Sequence, residues 1–203
     1  AIDIETAAVP GRDGATVTDA AQHLDDTVRA VVAAAVAAPP AETHAVREMY
    51  RRIGLDPTKT RPSNEALLRR VRRGDAFPRV NALVDAVNLC SLELQLPYGV
   101  YDRRAITGPI VLRLGREGEA YAGIRKDMVH VAKRVTVADD HGPFGNPTSD
   151  SARAMVTSAV TEALIVVYAP ASTTSPRLSA VIDRTAALVA VAVGGREAAR
   201  WIA

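Results

Sequence analysis

The stretch NALVDAVNLCSLELQLPYGVYD, Asn81–Asp102, decides the fold. In its first part Leu83, Val84, Val87 and Leu94 recur at helical spacing behind Asn81, a residue type that caps helix N-termini. Its second part, PYGVYD, is short, β-branched and aromatic, and closed by turn residues, which predicts a strand. Downstream, GPIVLRLG, EAYAGI and KRVTVADD repeat the strand signature, and HGPFGNPTSDS (141–151) reads as a loop. ALIVVY (163–168) is apolar on both faces and predicts a buried central strand. A last helix runs from Pro176 to Val193 and stops at Gly194-Gly195. Upstream, RPSNEALLRRVRRG predicts a basic helix starting at Pro62-Ser63 and ending at Gly74, and a further helix spans about Glu42 to Arg52 before Gly54. Thr18 or Asp19 opens a helix with Leu24, Val28, Val31, Val32, Ala35 and Val36 on one face, stopped by Pro39-Pro40. Residues 1–17 have no period and read as a flexible arm, removable at little cost in stability.

Helices first, strands in the middle and one helix last predict an α+β domain rather than a βαβ alternation. The expected organisation is a single domain over 18–203, with 18–40 as an N-terminal helical extension. Its sheet is expected to be mainly antiparallel or mixed and flanked by helices. With 203 residues, 48% apolar and only 4% aromatic, the core is aliphatic. No apolar run approaches the roughly 18 residues of a membrane span. The N-terminal AIDIETAAVPGRDG is acidic rather than secretory, so a soluble cytoplasmic protein with no membrane partner is expected. The single Cys90 excludes an internal disulfide and a cysteine zinc cluster.

Charge is uneven. Nearly all the net basicity sits between Arg47 and Arg79, with Arg69, Arg70, Arg72 and Arg73 at its centre. Such a block serves either phosphate backbones or the solvated faces of arginine-rich helices.

No glycine-rich phosphate cradle, H-E-x-x-H or nucleophile elbow occurs, and the four histidines are scattered. No cofactor and no metal site is expected. GREGE (115–119) reads as a charged hairpin turn. Cys90 reads as a small packed residue. Asn81, Asp85 and Asn88 share a helical face, either as a cap with a solvated acid or as bonds fixing the helix on the sheet. Asp139, Asp140 and His141 close a strand. They are either an ordinary turn or a pair of acids holding an imidazolium.

Five segments in order, RPSNEALLRRV, FPRVNALVDAVNLCSLELQLPYGVYD, GPIVLRLGREGEAY, VTVADD and RAMVTSAVTEALIVVYAP, resemble the stand-alone B3/B4 (tRNA-binding/editing) domain proteins. These are related to the editing module of the phenylalanyl-tRNA synthetase β subunit. The resemblance covers about Tyr50 to the C-terminus and implies a mixed α+β module that binds a misacylated tRNA 3′ end and hydrolyses its ester. Bacterial synthetases carry an editing-pocket histidine where this chain has Gly99. Arg125 and Lys126 stand where stand-alone relatives tend to carry acids, and HGPFGNPTSDSA replaces an aromatic, arginine-rich loop. By this resemblance Asn88, Tyr98, Gly99, Asp139 and Arg153 bind substrate, with His141, Asp140 and Thr157 as catalytic candidates and His141 as general base. Arg69, Arg70, Arg72 and Arg73 would contact nucleic acid.

Three functions stay open. One is recognition or trans-editing of aminoacyl-tRNA, as a deacylase acting on ester bonds. Another is a fold reused to bind an aminoacyl-bearing small molecule or transfer acyl groups. The third is a non-catalytic interaction module. A homo-oligomer fits any of them.

Overall fold

The computed structural model describes residues 2–5, 19–37, 42–125 and 127–202. Chain order is β1 (Ile2–Glu5), α1 (Asp19–Ala37), α2 (Glu42–Arg52), α3 (Ser63–Arg72), α4 (Ala82–Leu94), β2 (Tyr98–Asp102), β3 (Val111–Leu114), β4 (Ala120–Ala122), β5 (Met128–His130), β6 (Val135–Asp139), β7 (Gly142–Asn146), β8 (Ser149–Asp150), β9 (Glu162–Val167), α5 (Ser175–Val193) and β10 (Arg196–Arg200). A short 3-10 turn at Arg103–Ala105 follows β2.

One sheet has the order β10-β1-β9-β2, a second has β3-β6-β7-β8, and β4 and β5 form a hairpin. All strand pairings in these sheets are antiparallel. This is the α+β class that the element order predicts.

The α4 helix is the hinge of the design. Asn81 Oδ1 accepts the Val84 N–H at 3.0 Å, the expected cap. Asp85 is buried rather than solvated: its carboxylate accepts the Val80 N–H at 2.7 Å and lies 3.5 Å from Arg79. At the other end Gln95 adopts φ 56°, a left-handed conformation that costs energy in a non-glycine residue. Bonds from Gln95 Nε2 to the Leu92 carbonyl and from Asn64 Nδ2 to the Gln95 carbonyl hold it there. The chain is thereby turned from α4 directly into β2.

The molecule has three layers. α4 and α5 pack against one face of the first sheet and α1 and α3 pack on those helices, with Leu89, Leu92, Val181 and Ile165 among the buried residues. A second core of Tyr101, Ile106, Val137, Phe144, Leu164, Val166 and Tyr168 lies between the two sheets. Alternate residues of β9 feed the two cores, Ala163 and Ile165 the first and Leu164 and Val166 the second. This is why ALIVVY is apolar throughout, and it is the central strand expected.

Three expectations are corrected. Residues 2–5 are not part of an arm. They form β1, inserted between β10 and β9, with Ile2 and Ile4 buried. The rest of the expected arm, 6–17, together with Thr18 and Pro39-Pro40, lies outside the described residues. The segment 141–151 is not a loop but contains β7 and β8: Gly142 takes φ 101° beside the turn, Pro143 sits at the irregularity in the β6–β7 register, and Pro147 lies in the β7–β8 turn. The chain also continues past Gly194 into β10, whose charged REAAR gives no strand signal and which is ordered by pairing with β1.

Candidate functional site

β6 and β7 are joined by the two-residue turn Asp140-His141, with Asp139 opposite Gly142 across the hairpin. The Asp139 side chain is fully buried. It accepts the Thr107 N–H at 2.9 Å, the His141 N–H at 3.0 Å and a two-pronged bond from Arg153 at 3.0 and 2.9 Å. Arg153 also donates to the Ala105 carbonyl at 2.8 Å and lies over the Phe144 ring. Burial works against the Asp139 charge, but the bonds from Arg153 and the two backbone N–H groups outweigh it and lower its pKa. The expected pair of acids thus divides its labour. Asp139 is a structural clamp tying the 105–107 segment to the turn, and Asp140 is exposed with no hydrogen bond to its carboxylate among the described residues. No bond from Asp140 orients the exposed His141 ring, contrary to the imidazolium-holding pair.

Beside this turn a groove of about 360 Å³ runs over the second sheet, lined by Val111, Arg113, Arg116, Glu119 and Asp140 over a floor of Ala138. Arg113 and Glu119 form a bidentate pair at 2.7 and 2.7 Å, and Glu119 also accepts the Arg116 N–H at 2.7 Å. The bond from Arg113 holds the Glu119 carboxyl at about 2. The Arg116 guanidinium makes no ion pair or hydrogen bond among the described residues. Across the groove the Asp140 carboxylate lies against the Gly108 Cα, at φ 72°, where any side chain would displace it. Among the described residues the groove therefore presents one neutralised pair, one unpaired cation and one unpaired carboxylate. Arg113, Arg116 and Glu119 were missed as site residues because GREGE reads as a turn. The signal was there in the alternating charges of R-L-G-R-E-G-E.

Asp139 and Glu119 both have folded pKa values below their unfolded ones. They therefore contribute stability above the unfolded values and lose it as pH falls through the folded ones. The melting temperature should stay level down to about pH 5 and fall between about pH 4 and pH 2. In a pH series of thermal melts, Asp139→Asn should lower the plateau and flatten that acid limb.

The other predicted residues lie elsewhere. Tyr98 is buried in the helix-side core with its hydroxyl 2.8 Å from Thr185 Oγ1, and Asn88 is half-buried on α4. Thr157 is exposed, its hydroxyl accepting the Ala159 N–H at 3.3 Å. Gly99 faces the space between the sheets, and that space is full. The Tyr101 Cζ would stand 2.5 Å from a Cβ at Gly99 and 2.6 Å from one at Gly145. Burial pushes the Cys90 thiol up to about 12, so it is no nucleophile.

The basic block is largely spoken for. Arg47 and Arg61 hold Glu65, Arg51 and Arg52 hold Glu48, and Arg79 holds Asp25. Within α3 and its cap, Arg70 donates to the Ala76 carbonyl, Arg72 to the Ala35 carbonyl in the last turn of α1, and Arg73 pairs with Asp75. Arg69 is exposed and has no such partner among the described residues. No described helix is long and apolar enough to cross a membrane.

Residues 45–188 match the model of the B3/4 domain, and the chain belongs to that family. The phenylalanine–tRNA ligase β subunit of Paramagnetospirillum magneticum is 37% identical over 65 residues, which are 32% of this chain and 8% of that protein. A solved N-terminal fragment of the phenylalanyl-tRNA synthetase β subunit from Pyrococcus horikoshii is similar at a TM-score of 0.48 and 16% identity, over 59% of this chain and 43% of that one. The chain thus spans only a small part of the curated relative it matches.

Proposed function

We propose that this protein recognises the aminoacylated 3′ end of a tRNA in the groove beside the β6–β7 turn. The observation that carries this reading is that the Asp140 carboxylate and the Arg116 guanidinium line one groove, both unpaired among the described residues. An aminoacyl-tRNA terminus offers the complementary pair, an α-ammonium for the carboxylate and a phosphate for the guanidinium. Arg113, committed to Glu119, fixes the loop from which Arg116 projects. Family membership supplies the tRNA context, since the named relative is a tRNA ligase subunit. Because the Tyr101 ring fills the space at Gly99, hydrolysis there is not part of the proposal. Any hydrolysis would rest on His141, the imidazole at the turn.

The test is binding of one tRNA in uncharged form and with its amino acid attached through a stable amide. The protein should prefer the charged form about tenfold, the scale of one charge-assisted hydrogen bond. Asp140→Asn should abolish that preference. Arg116→Ala and Arg69→Ala should each weaken both forms alike and take about one unit from the log–log salt slope. In a deacylation panel with mischarged tRNAs, any activity should fall about tenfold to a thousandfold in His141→Ala. Equal affinity for charged and uncharged tRNA would overturn the reading.

A further inference from the structure

The outward edge of β3 has no strand partner among the described residues, since β3 is the outer strand of the second sheet, and the one bond there is from the Arg113 side chain to the Leu114 carbonyl at 3.2 Å. Natural sheets blunt such edges with charge, proline or bulges. At the outer strand of the first sheet β10 follows that rule, with Arg196, Glu197 and Arg200 in five residues. β3 breaks it. Val111, Leu112 and Leu114 are 48%, 57% and 51% exposed. Its one charge, Arg113, is neutralised by Glu119 of the same chain.

The register with β6 assigns the faces. Leu112 and Leu114 stand opposite Val137 and Val135, on the side of the second core. Val111 and Arg113 stand opposite Ala138 and Thr136, on the side of the groove. Ile110, in line with Leu112 by strand alternation, packs on the second core. The row Ile110-Leu112-Leu114 therefore starts in the core and runs out into solvent.

Strand geometry selects what completes it. A two-fold axis perpendicular to a sheet keeps each face on its own side, so only residues of the same face can stand opposite each other. Centring such an axis on Arg113 sets two Arg113–Glu119 pairs opposite each other, crowding polar side chains at the axis with no apolar contact there. Centring it on Leu112 sets Leu112 opposite Leu112 and Leu114 opposite Ile110, an apolar ladder, and on the groove face Arg113 opposite Val111.

We propose that two copies of this chain pair antiparallel through β3, centred on Leu112, joining their two four-stranded sheets into one. The occupant is a second copy because the edge is complementary to itself in this register, with like charges kept apart. A ladder this short is a small interface, so the dimer has a Kd of roughly micromolar order and dissociates on dilution. The pairing also brings Arg113 of the second copy beside Val111, a wall of the groove. That consequence, unlike the dimer itself, rests on the function proposed above.

Sedimentation velocity across a dilution series of the full chain tests the dimer without any tRNA present. The wild type should pass from monomer to dimer as concentration rises. Leu112→Lys, which sets two ammonium groups on the axis, should remain monomeric with an unchanged melting temperature. Under mild oxidation Leu112→Cys should form a covalent dimer, since residues facing each other on the axis have Cα atoms about 4.5–5.5 Å apart. Leu114→Cys should not, because its two copies are four residues out of register, and the native Cys90 is buried and does not compete. A wild type that stays monomeric, a dimer that survives Leu112→Lys, or Leu114→Cys linking as readily as Leu112→Cys would each overturn the proposal.

Discussion

Deleting residues 1–5 is expected to leave most of the protein unfolded at 37 °C. β1 is short, but it is an interior strand, paired on one side with β9 and on the other with β10. Ile2 and Ile4 are essentially solvent-free in the helix-side core, against Ile165, the α-helices and their neighbours. Truncating one buried isoleucine to alanine costs about 2–5 kcal/mol, and a domain of this kind holds only about 5–15 in total. The deletion removes both side chains, uncovers the edge of β9 and leaves β10 without its partner. Ile2→Ala with Ile4→Ala, which keeps the backbone ladder, should cost about 4–8 kcal/mol. Glu5→Gln is the control. Its ion pair with Arg196 is solvent-exposed, and exposed pairs contribute about 0–1 kcal/mol. Urea denaturation followed by circular dichroism measures all three. A deletion variant that melts within about 2 °C of the parent would show that β1 carries no weight in the sheet.

Why β1 is invisible in the sequence is instructive. IDIE alternates apolar and acidic residues over four positions, too few for periodicity to register, and it precedes a stretch rich in glycine and proline. Its order comes from β9 and β10, some 160 residues and more away in the chain, and no local rule reports such pairing. The same holds for β10. By contrast α4, β2 and β9 were legible because burial fixes their patterns: Asn81 must cap, Leu83 and Val87 must face the core, and both faces of β9 are covered. The site divides along the same line. Asp139, Asp140 and His141 stand out in the sequence because a strand ending in acids before Gly142 is a local signal. Which acid is the clamp and which is free depends on Arg153 and Thr107, contributed by other parts of the chain. The basic block is legible in the sequence only as a sum. Summed charge cannot show that Arg72 serves the end of α1 or that Glu65 holds two arginines.

Gly145→Ala should destabilise the protein by about 3 kcal/mol, and Tyr101→Leu should suppress that cost. The Tyr101 ring is fully buried and cannot step aside. It meets Phe144 edge-on at 4.9 Å, and its hydroxyl donates to Asp150 at 2.7 Å and lies 3.0 Å from that of Tyr168. A methyl group on Gly145 or Gly99 would overlap the ring's Cζ, so either backbone or ring must shift. Tyr101→Leu alone leaves a cavity and two polar partners exposed to it, a cost of about 3 kcal/mol. In the double variant the added methyl group enters space the shorter side chain leaves free. The two costs should therefore fail to add by about 2–3 kcal/mol, read from a double-mutant cycle in urea. Additive costs would mean that the ring and the glycines do not share this space. The same variants locate the function. Tyr101 packs on the core side of the second sheet and the Asp140–Arg116 groove lies on the other. Folded Tyr101→Leu should thus keep the preference for charged tRNA that Asp140→Asn loses. If instead Tyr101→Leu abolishes that preference while Asp140→Asn retains it, the recognition site belongs between the sheets, at Gly99.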